Sequence, residues 1–509
     1  MQHAFHSLVK RISNNQKMSY TTTNLSCRNN FLKWSMFIAL SFTTLLWLSP
    51  DSFLMHQFGC RCDSSWFYTA GKAWMEGMTP YVDFADSKGP ILWLIYGIGY
   101  LLSPISYAGV FWLSVIAYSI TFAFVWKTTR LFVGRFEALF VLACTSVLFF
   151  FRIYHTEVRA EDFCMPWLCI SLYFTSKVLL LPSTKNLRGG GFWIGICMIC
   201  CLLIKWNYFF MMGGLALIIV GISVSKKSFD GIVLGLLGMV VATLPFAIYF
   251  AIAGNFGAFV HEYFVNTFLI TDSDYSSGMF IRLGNILFGG RFAIFKTIML
   301  LAAFLGIVAF CHRFHISYWL LLTYLPFYLF LELKATGLHY CSTTVPFFIF
   351  LLMFLVSKCK FLTRNASPHI CIILSFVIYI GGIGFNLRKE RLVFNPSAEQ
   401  AEWDAIQKIM SQKKQPRIFF SANDYGQGLP TRALPACKYW AKQSGANAEM
   451  TTEREQAVRA RKPDFIFIMV QPVPELRKLA LECGYHQCFA PIPNANGKTE
   501  MRALPIYAK

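Results

Sequence analysis

Long apolar stretches separated by short polar ones dominate the first 390 residues. Runs fall at about 33–49, 107–126, 137–153, 163–181, 191–204, 208–224, 231–253, 293–311, 316–333, 342–357 and 369–386. A helix needs roughly 20 such residues to cross the hydrocarbon core, with about 17 as the lower bound. The pattern predicts an all-α polytopic domain of about 11 spanning helices over 33–390, preceded by a polar, basic segment at 1–32 (Lys10, Arg11, Lys17, Arg28). The run at 33–49 reads as a signal anchor. One run differs: 90–103, opened by Pro90 and closed by Pro104, is too short for a crossing and reads as an interfacial or re-entrant helix.

Charge placement supports that choice. With the N-terminus inside, every second loop collects bases: Lys127, Arg130 and Arg135; Lys185 and Arg188; Lys226 and Lys227; Arg313; Lys358, Lys360 and Arg364. The alternate loops collect acids: Asp63, Asp83 and Asp86; Glu157, Glu161 and Asp162; Glu262, Asp272 and Asp274; Glu332. Basic residues mark the cytoplasmic side, and counting 90–103 as a span would invert the whole pattern. The first outer loop is then 50–106. Beyond Phe385 the apolar runs stop, and 391–509 reads as a small extracytoplasmic α/β domain. It opens with an amphipathic helix (Trp403, Ile406, Ile409, Met410) and a strand at 417–421. A strand at 464–470 and a helix from Pro474 to Cys483 follow, with closing strands near 485–492 and 502–508. It carries no nucleotide-binding fingerprint.

Composition agrees with a lipid environment. Of 509 residues, 56% are apolar and only 14% charged, against about a quarter charged in soluble domains. The net charge of +20 sits in short inter-span loops, and no basic helix or RNA-binding signature accompanies it, which excludes nucleic acid as a partner. Most of the 16 cysteines lie in apolar runs (Cys197, Cys200, Cys201) and act as small hydrophobes. The lone Cys60-x-Cys62 is incomplete as a metal or redox motif.

Acids clustered at a bilayer surface are candidate functional groups, and the first outer loop is the densest stretch. It contains Asp63, then Gly77-Met-Thr-Pro80-Tyr81-Val-Asp83, then Lys88-Gly89-Pro90 and an apolar helix. In this order the residues resemble the GT-C superfamily of integral membrane glycosyltransferases, in the branch of protein O-mannosyltransferases and aminoarabinose transferases. Thr156-Glu157 with Glu161-Asp162 through Pro166 resembles that group's acidic second outer loop, and Gly337-Leu-His339-Tyr340 before Pro346 its late His-Tyr element. The resemblance spans roughly 33–360 in architecture and is specific in the first loop. It departs in one place: the mannosyltransferases' Asp-Glu pair is Asp63-Ser64 here, so the second acid's role is vacant or supplied by Glu161 or Asp162.

The resemblance implies transfer of a sugar from a polyprenyl-phosphate donor to a hydroxyl of a glycan, lipid or protein acceptor on the extracytoplasmic face, with inversion. Such a transfer needs a base for the acceptor proton and no acid for the departing phosphate, and general base catalysis is worth roughly 10²–10⁴ in rate. Asp63 is the candidate base; Asp also favours a helix N-cap. Lys88 is the candidate phosphate partner, or else a snorkelling anchor at the helix from Pro90. Tyr81 and Asp83 are candidates for shaping the acceptor site, although Asp83 and Asp86 equally suit turn caps. Glu161 and Asp162 could bind acceptor hydroxyls or a divalent cation, or form a solvated acidic loop. Lys205, beside Asn207 at an outer boundary, is expensive there unless it snorkels or meets an anion, and is a candidate lipid-phosphate contact. His339, Tyr340 and His261-Glu262 have similar standing. No histidine shows metal-ligand spacing, and no cofactor or resident metal is called for. The competing class is a transporter or flippase for a lipid-linked sugar in envelope assembly, which would favour mid-membrane charges and internal repeats. Without strong N-glycosylation or retention signals, the expected location is a bacterial inner membrane.

Overall fold

The computed structural model describes residues 23–56, 62–155, 157–267, 291–333, 338–359, 368–394, 400–422, 426, 428–429, 431–441, 448–468, 474–493 and 499–509. The first helix, α1 (Thr23–Leu48), begins ten residues before the apolar run it contains. Two short helices follow in the first loop, α2 (Cys62–Met75) and α3 (Pro90–Leu102). The bundle continues with α4 (Ala108–Thr129), α5 (Arg135–Phe149), α6 (Ala160–Leu180), α7 (Thr184–Leu202), α8 (Asn207–Met211), α9 (Gly213–Ser225) and α10 (Asp230–Ile252). After α11 (Phe256–Val260) and a π-helical turn at His261–Asn266 come α12 (Arg291–Phe314), α13 (Leu321–Leu333), α14 (Val345–Lys358) and α15 (Pro368–Asn386).

Among the described residues, eight helical segments are long and apolar enough to cross a bilayer, where about 11 were expected. The runs at 137–153, 191–204 and 316–333 do form helices, but each falls short. Helix α5 has 15 residues, α13 has 13, and α7 opens with the polar, glycine-rich Thr-Lys-Asn-Leu-Arg-Gly. The eight differ in how they are buried. Two-thirds of α6 lies inside the protein, against 11% of α10 and of α15. Val233, Leu237, Val240 and Leu244 on α10 and Ile373, Phe376 and Val377 on α15 are exposed. An apolar face bare of protein is what a helix against lipid presents.

Helix α3 behaves as its length requires. Its start is bonded to the segment after α7, through Gly89 N to Ile204 O (3.1 Å) and Ile91 N to Leu203 O (3.0 Å). Its end is held by α2, where the Tyr68 hydroxyl donates to Ser103 O (2.8 Å). Glycine is obligatory at 89: a Cβ there would stand 2.1 Å from Leu203 O. That contact sets Lys88 and Lys205 on either side of one backbone junction.

The C-terminal unit is α16 (Gln400–Met410), β1 (Arg417–Phe420), β2 (Leu434–Pro435), α17 (Ala448–Arg459), β3 (Phe465–Phe467), α18 (Pro474–Glu482), β4 (His486–Pro493) and β5 (Thr499–Ala508). Its sheet has the order β2-β1-β3-β5-β4, parallel among the first three and antiparallel through β5. Strands β1 and β3 are apolar on both faces, burying Ile418, Phe419 and Phe420 and all of Phe465, Ile466 and Phe467. Strand β2 and helix α17 are additions to the expected elements. The unit sits on the first loop. The Lys72 ammonium, fully buried, donates to Gly428 O (3.0 Å) and Thr431 O (3.2 Å), and Trp66 meets Trp440 edge-on. Further along, the buried Glu262 pairs with Lys438 and accepts from the Tyr439 hydroxyl (2.9 Å).

Overpacking a tight junction costs about 1–3 kcal/mol. Gly89→Ala is therefore expected to lower the thermal midpoint of the detergent-solubilised protein, because the colliding atoms are backbone. Gly189→Ala, with nothing within 4 Å of its Cβ, is expected to leave the midpoint unchanged; equal midpoints for the two variants would refute the interlock.

Candidate functional site

Helix α2 begins with Asp63 in its first turn. The first N–H groups of a helix lack internal partners, and here a carboxylate from the second loop satisfies two of them. Glu157 Oε2 accepts from Asp63 N (3.0 Å) and Ser64 N (3.4 Å). The Ser64 hydroxyl donates to Val158 O (2.6 Å), as does Tyr96 from α3 (3.2 Å). Arg159 then reaches both acids, placing its side-chain nitrogens 2.6 Å from Glu157 Oε1 and 3.3 Å from Asp63 Oδ2. Burial raises the Glu157 carboxyl, with Asp63 adding to it and Arg159 opposing. Burial disfavours the Arg159 charge, but Glu157 and Asp63 outweigh it and raise its pKa.

Helix α6 starts at the next residue. Asp162 closes its first turn by accepting from Arg159 N (2.8 Å), a capping box. Its other oxygen is taken by the Tyr118 hydroxyl and by His155 Nε2 (3.2 Å). Asp162 is thus a cap with both oxygens engaged. Glu161, 2% exposed, pairs with Lys205, which follows α7 and is 9% exposed. Lys205 also lies 3.3 Å from the Tyr340 hydroxyl and 4.5 Å from that ring's centre, and His339 packs on Tyr340 with ring centres 4.2 Å apart. Burial disfavours the Lys205 charge; Glu161 outweighs it and raises the pKa.

Lys88 is half-buried. Its ammonium donates to Ser87 Oγ (3.0 Å), lies 5.7 Å from the centre of the Phe67 ring, and has no carboxylate ion pair among the described residues. Two residues before it, Asp86 is 6% exposed. Oδ1 of Asp86 accepts from Ser87 N (2.6 Å) and Ser87 Oγ (3.2 Å), and Oδ2 is buried with no hydrogen-bond partner among the described residues. Burial raises this carboxyl, Lys88 pulls against it and Asp63 adds to it, so the three share one electrostatic neighbourhood.

The structure therefore gathers Asp63, Lys88, Glu161, Lys205, His339 and Tyr340 on one face. It does not bring Tyr81 and Asp83 there as free groups. Tyr81, at φ 65°, is fully buried in an aromatic cluster 4.6 Å from Trp93, and its hydroxyl donates to Lys88 O (3.1 Å). Asp83 is exposed and caps its turn through Thr79 N (2.7 Å). Sequence reasoning missed Glu157 and Arg159 as members of the site. The acid beside Asp63-Ser64 is Glu157; neither Glu161 nor Asp162 takes that place. An uncapped helix start after a polar loop was the one available signal. Among the described residues no group of three or more His, Cys, Asp or Glu side chains is arranged to hold a metal ion. Glu157, Glu161 and Asp162 each have protein partners.

The mostly helical bundle with its small C-terminal sheet has a GT-C-like fold. Residues 87–250 match the dolichyl-phosphate-mannose-protein mannosyltransferase family. The chain is similar to ArnT from Cupriavidus metallidurans in the apo state, at 12% identity and a TM-score of 0.60, over 95% of this chain and 98% of that one. The same protein bound to undecaprenyl phosphate matches at 13% identity and 0.60, over 94% and 97%. The oligosaccharyltransferase of Archaeoglobus fulgidus has a TM-score of 0.46 at 11% identity, over 93% and 73%. No curated protein matches the chain by sequence.

Breaking one partner of a buried ion pair costs about 3–5 kcal/mol, because the other charge is left uncompensated. Lys205→Met is expected to lower the thermal midpoint sharply. Glu161→Gln combined with Lys205→Met is expected to recover part of the loss; a double variant less stable than Lys205→Met would contradict the pairing.

Proposed function

We propose that this protein is a polyprenyl-phosphate-dependent glycosyltransferase that moves a sugar to an acceptor hydroxyl with inversion at the anomeric carbon. The observation that carries the reading is Lys88, a cation without a carboxylate ion pair among the described residues and in the electrostatic neighbourhood of Asp63, on a fold shared with a protein solved with undecaprenyl phosphate. An unspent ammonium at the membrane surface suits a lipid phosphate, which lateral diffusion delivers to that depth.

The chemistry then follows from the positions. The donor's phosphate lies against Lys88, with Lys205 and the Tyr340 hydroxyl on the opposite side of the Gly89–Leu203 junction. Glu161 aims Lys205, and His339 backs the Tyr340 ring. Asp63 takes the proton of the acceptor hydroxyl as its oxygen bonds to the anomeric carbon. The bond from that carbon to the phosphate oxygen breaks, and polyprenyl phosphate departs with the negative charge that the lysines stabilise. The C-terminal unit, held on α2 through Lys72 and Trp66, covers the approach to Asp63 and helps hold the acceptor. The site faces the extracytoplasmic side, following the charge alternation of the loops, and the membrane is a bacterial inner membrane.

The test is transfer from a panel of undecaprenyl-phosphate-linked hexoses and pentoses, 4-amino-arabinose included, to membrane glycans of a strain lacking the gene. The wild type is expected to turn over at least one donor and no nucleotide sugar. Asp63→Asn is expected to lower kcat by about 10²–10⁴ while undecaprenyl phosphate binding stays within twofold of wild type, and Lys88→Met to weaken that binding about tenfold. A wild type that uses a nucleotide sugar equally well would overturn the donor assignment, and a fully active Asp63→Asn the base.

A further inference from the structure

The proposed base is held from two directions by one short segment of the second loop. Its backbone N–H is bound by Glu157 Oε2, and its carboxylate Oδ2 faces Arg159 Nε at 3.3 Å. Glu157 and Arg159 are themselves joined by two contacts, from Arg159 Nε (3.1 Å) and a terminal guanidinium nitrogen (2.6 Å) to Glu157 Oε1. The segment is anchored at its far end, where Arg159 N caps α6 on Asp162. The spare side of Asp63 faces outward, since 42% of its side chain is exposed, and its Oδ1 has no hydrogen-bond partner among the described residues.

A cap for α2 needs only the Glu157 carboxylate. A guanidinium that also reaches Asp63 does something a cap does not require: with Nε and a terminal nitrogen both held on Glu157 Oε1 its plane is fixed, and Nε stands 3.3 Å from Asp63 Oδ2. We infer that Arg159, braced by Glu157, is a positioning residue for Asp63, holding Oδ2 so that Oδ1 points at the acceptor hydroxyl. Glu157 in turn supplies the negative charge that keeps the guanidinium at this depth. The pair thereby stands where the sequence has Ser64 in place of a second acid. This inference rests on Asp63 being the base.

Misplacing a reacting group by about 1 Å costs up to about 10²-fold in rate. Lysine keeps the charge against Glu157 but lacks the fork, so Arg159→Lys is expected to lower kcat 10- to 100-fold with KM for the undecaprenyl-phosphate donor unchanged. Arg159→Ala is expected to lose more, and millimolar guanidinium chloride to restore part of its kcat while methylammonium does not and wild type is unaffected. Glu157→Gln, isosteric and still able to accept an N–H, is expected to lower kcat less than Arg159→Lys, again at constant KM. It serves as the readout if the arginine variants do not fold. A wild type silent on every donor would sink the functional reading itself. An active wild type with Arg159→Lys or Glu157→Gln at full kcat, or with KM rising in place of kcat falling, would overturn the positioning role alone.

Discussion

A buried carboxylate–ammonium pair, Glu161 with Lys205, ties the start of α6 to the segment that follows α7, and the candidate site is assembled around it. Two charges cannot be left unpaired at that depth, so the start of α6 and the end of α7 are compelled to meet. Their meeting fixes the 203–205 segment, against which Gly89 packs with no room for a side chain. That contact delivers Lys88 to the same face. From the other side, the 157–159 segment that leads into α6 takes hold of the first turn of α2, and with it Asp63. Three loops far apart in sequence are thus locked by one ion pair, one glycine contact and one carboxylate cap.

The apolar periodicity made most of the bundle legible, because lipid demands long uncharged helices wherever the chain crosses. The exceptional run at 90–103 was readable for the same reason: it forms a helix of 13 residues, shorter than a crossing needs. In the C-terminal unit the apolar runs at 418–420 and 465–467 were clear, whereas β2 is two residues long and α17 is too polar to advertise itself. The count of spans was less legible, since α5, α7 and α13 depend on packing against neighbours more than on their own apolarity.

Within the site, residues that act through contact with a distant loop were the ones sequence alone could not assign. Asp63, Lys88 and Lys205 stood out by being charged where charge is expensive. Glu157 entered only as part of the acidic second loop and was given no role of its own, and only the fold shows it and Arg159 seated on α2. Conversely, Tyr81 and Asp83 lie in the same motif as Lys88, yet their side chains serve the turn. Tyr81 fills an aromatic core from a left-handed backbone position, and Asp83 bonds its own loop. A motif of this kind carries structural and chemical residues side by side, and burial separates them.

The central claim is that one phosphate seat lies between the Lys88 and Lys205 junction and the Asp63 helix. Electron cryomicroscopy of the protein with undecaprenyl phosphate tests it most directly. The account predicts headgroup density within hydrogen-bond distance of the Lys88 ammonium, with Asp63 facing it across open space. Headgroup density on the opposite face of the bundle, or held by residues remote from Lys88, would contradict it.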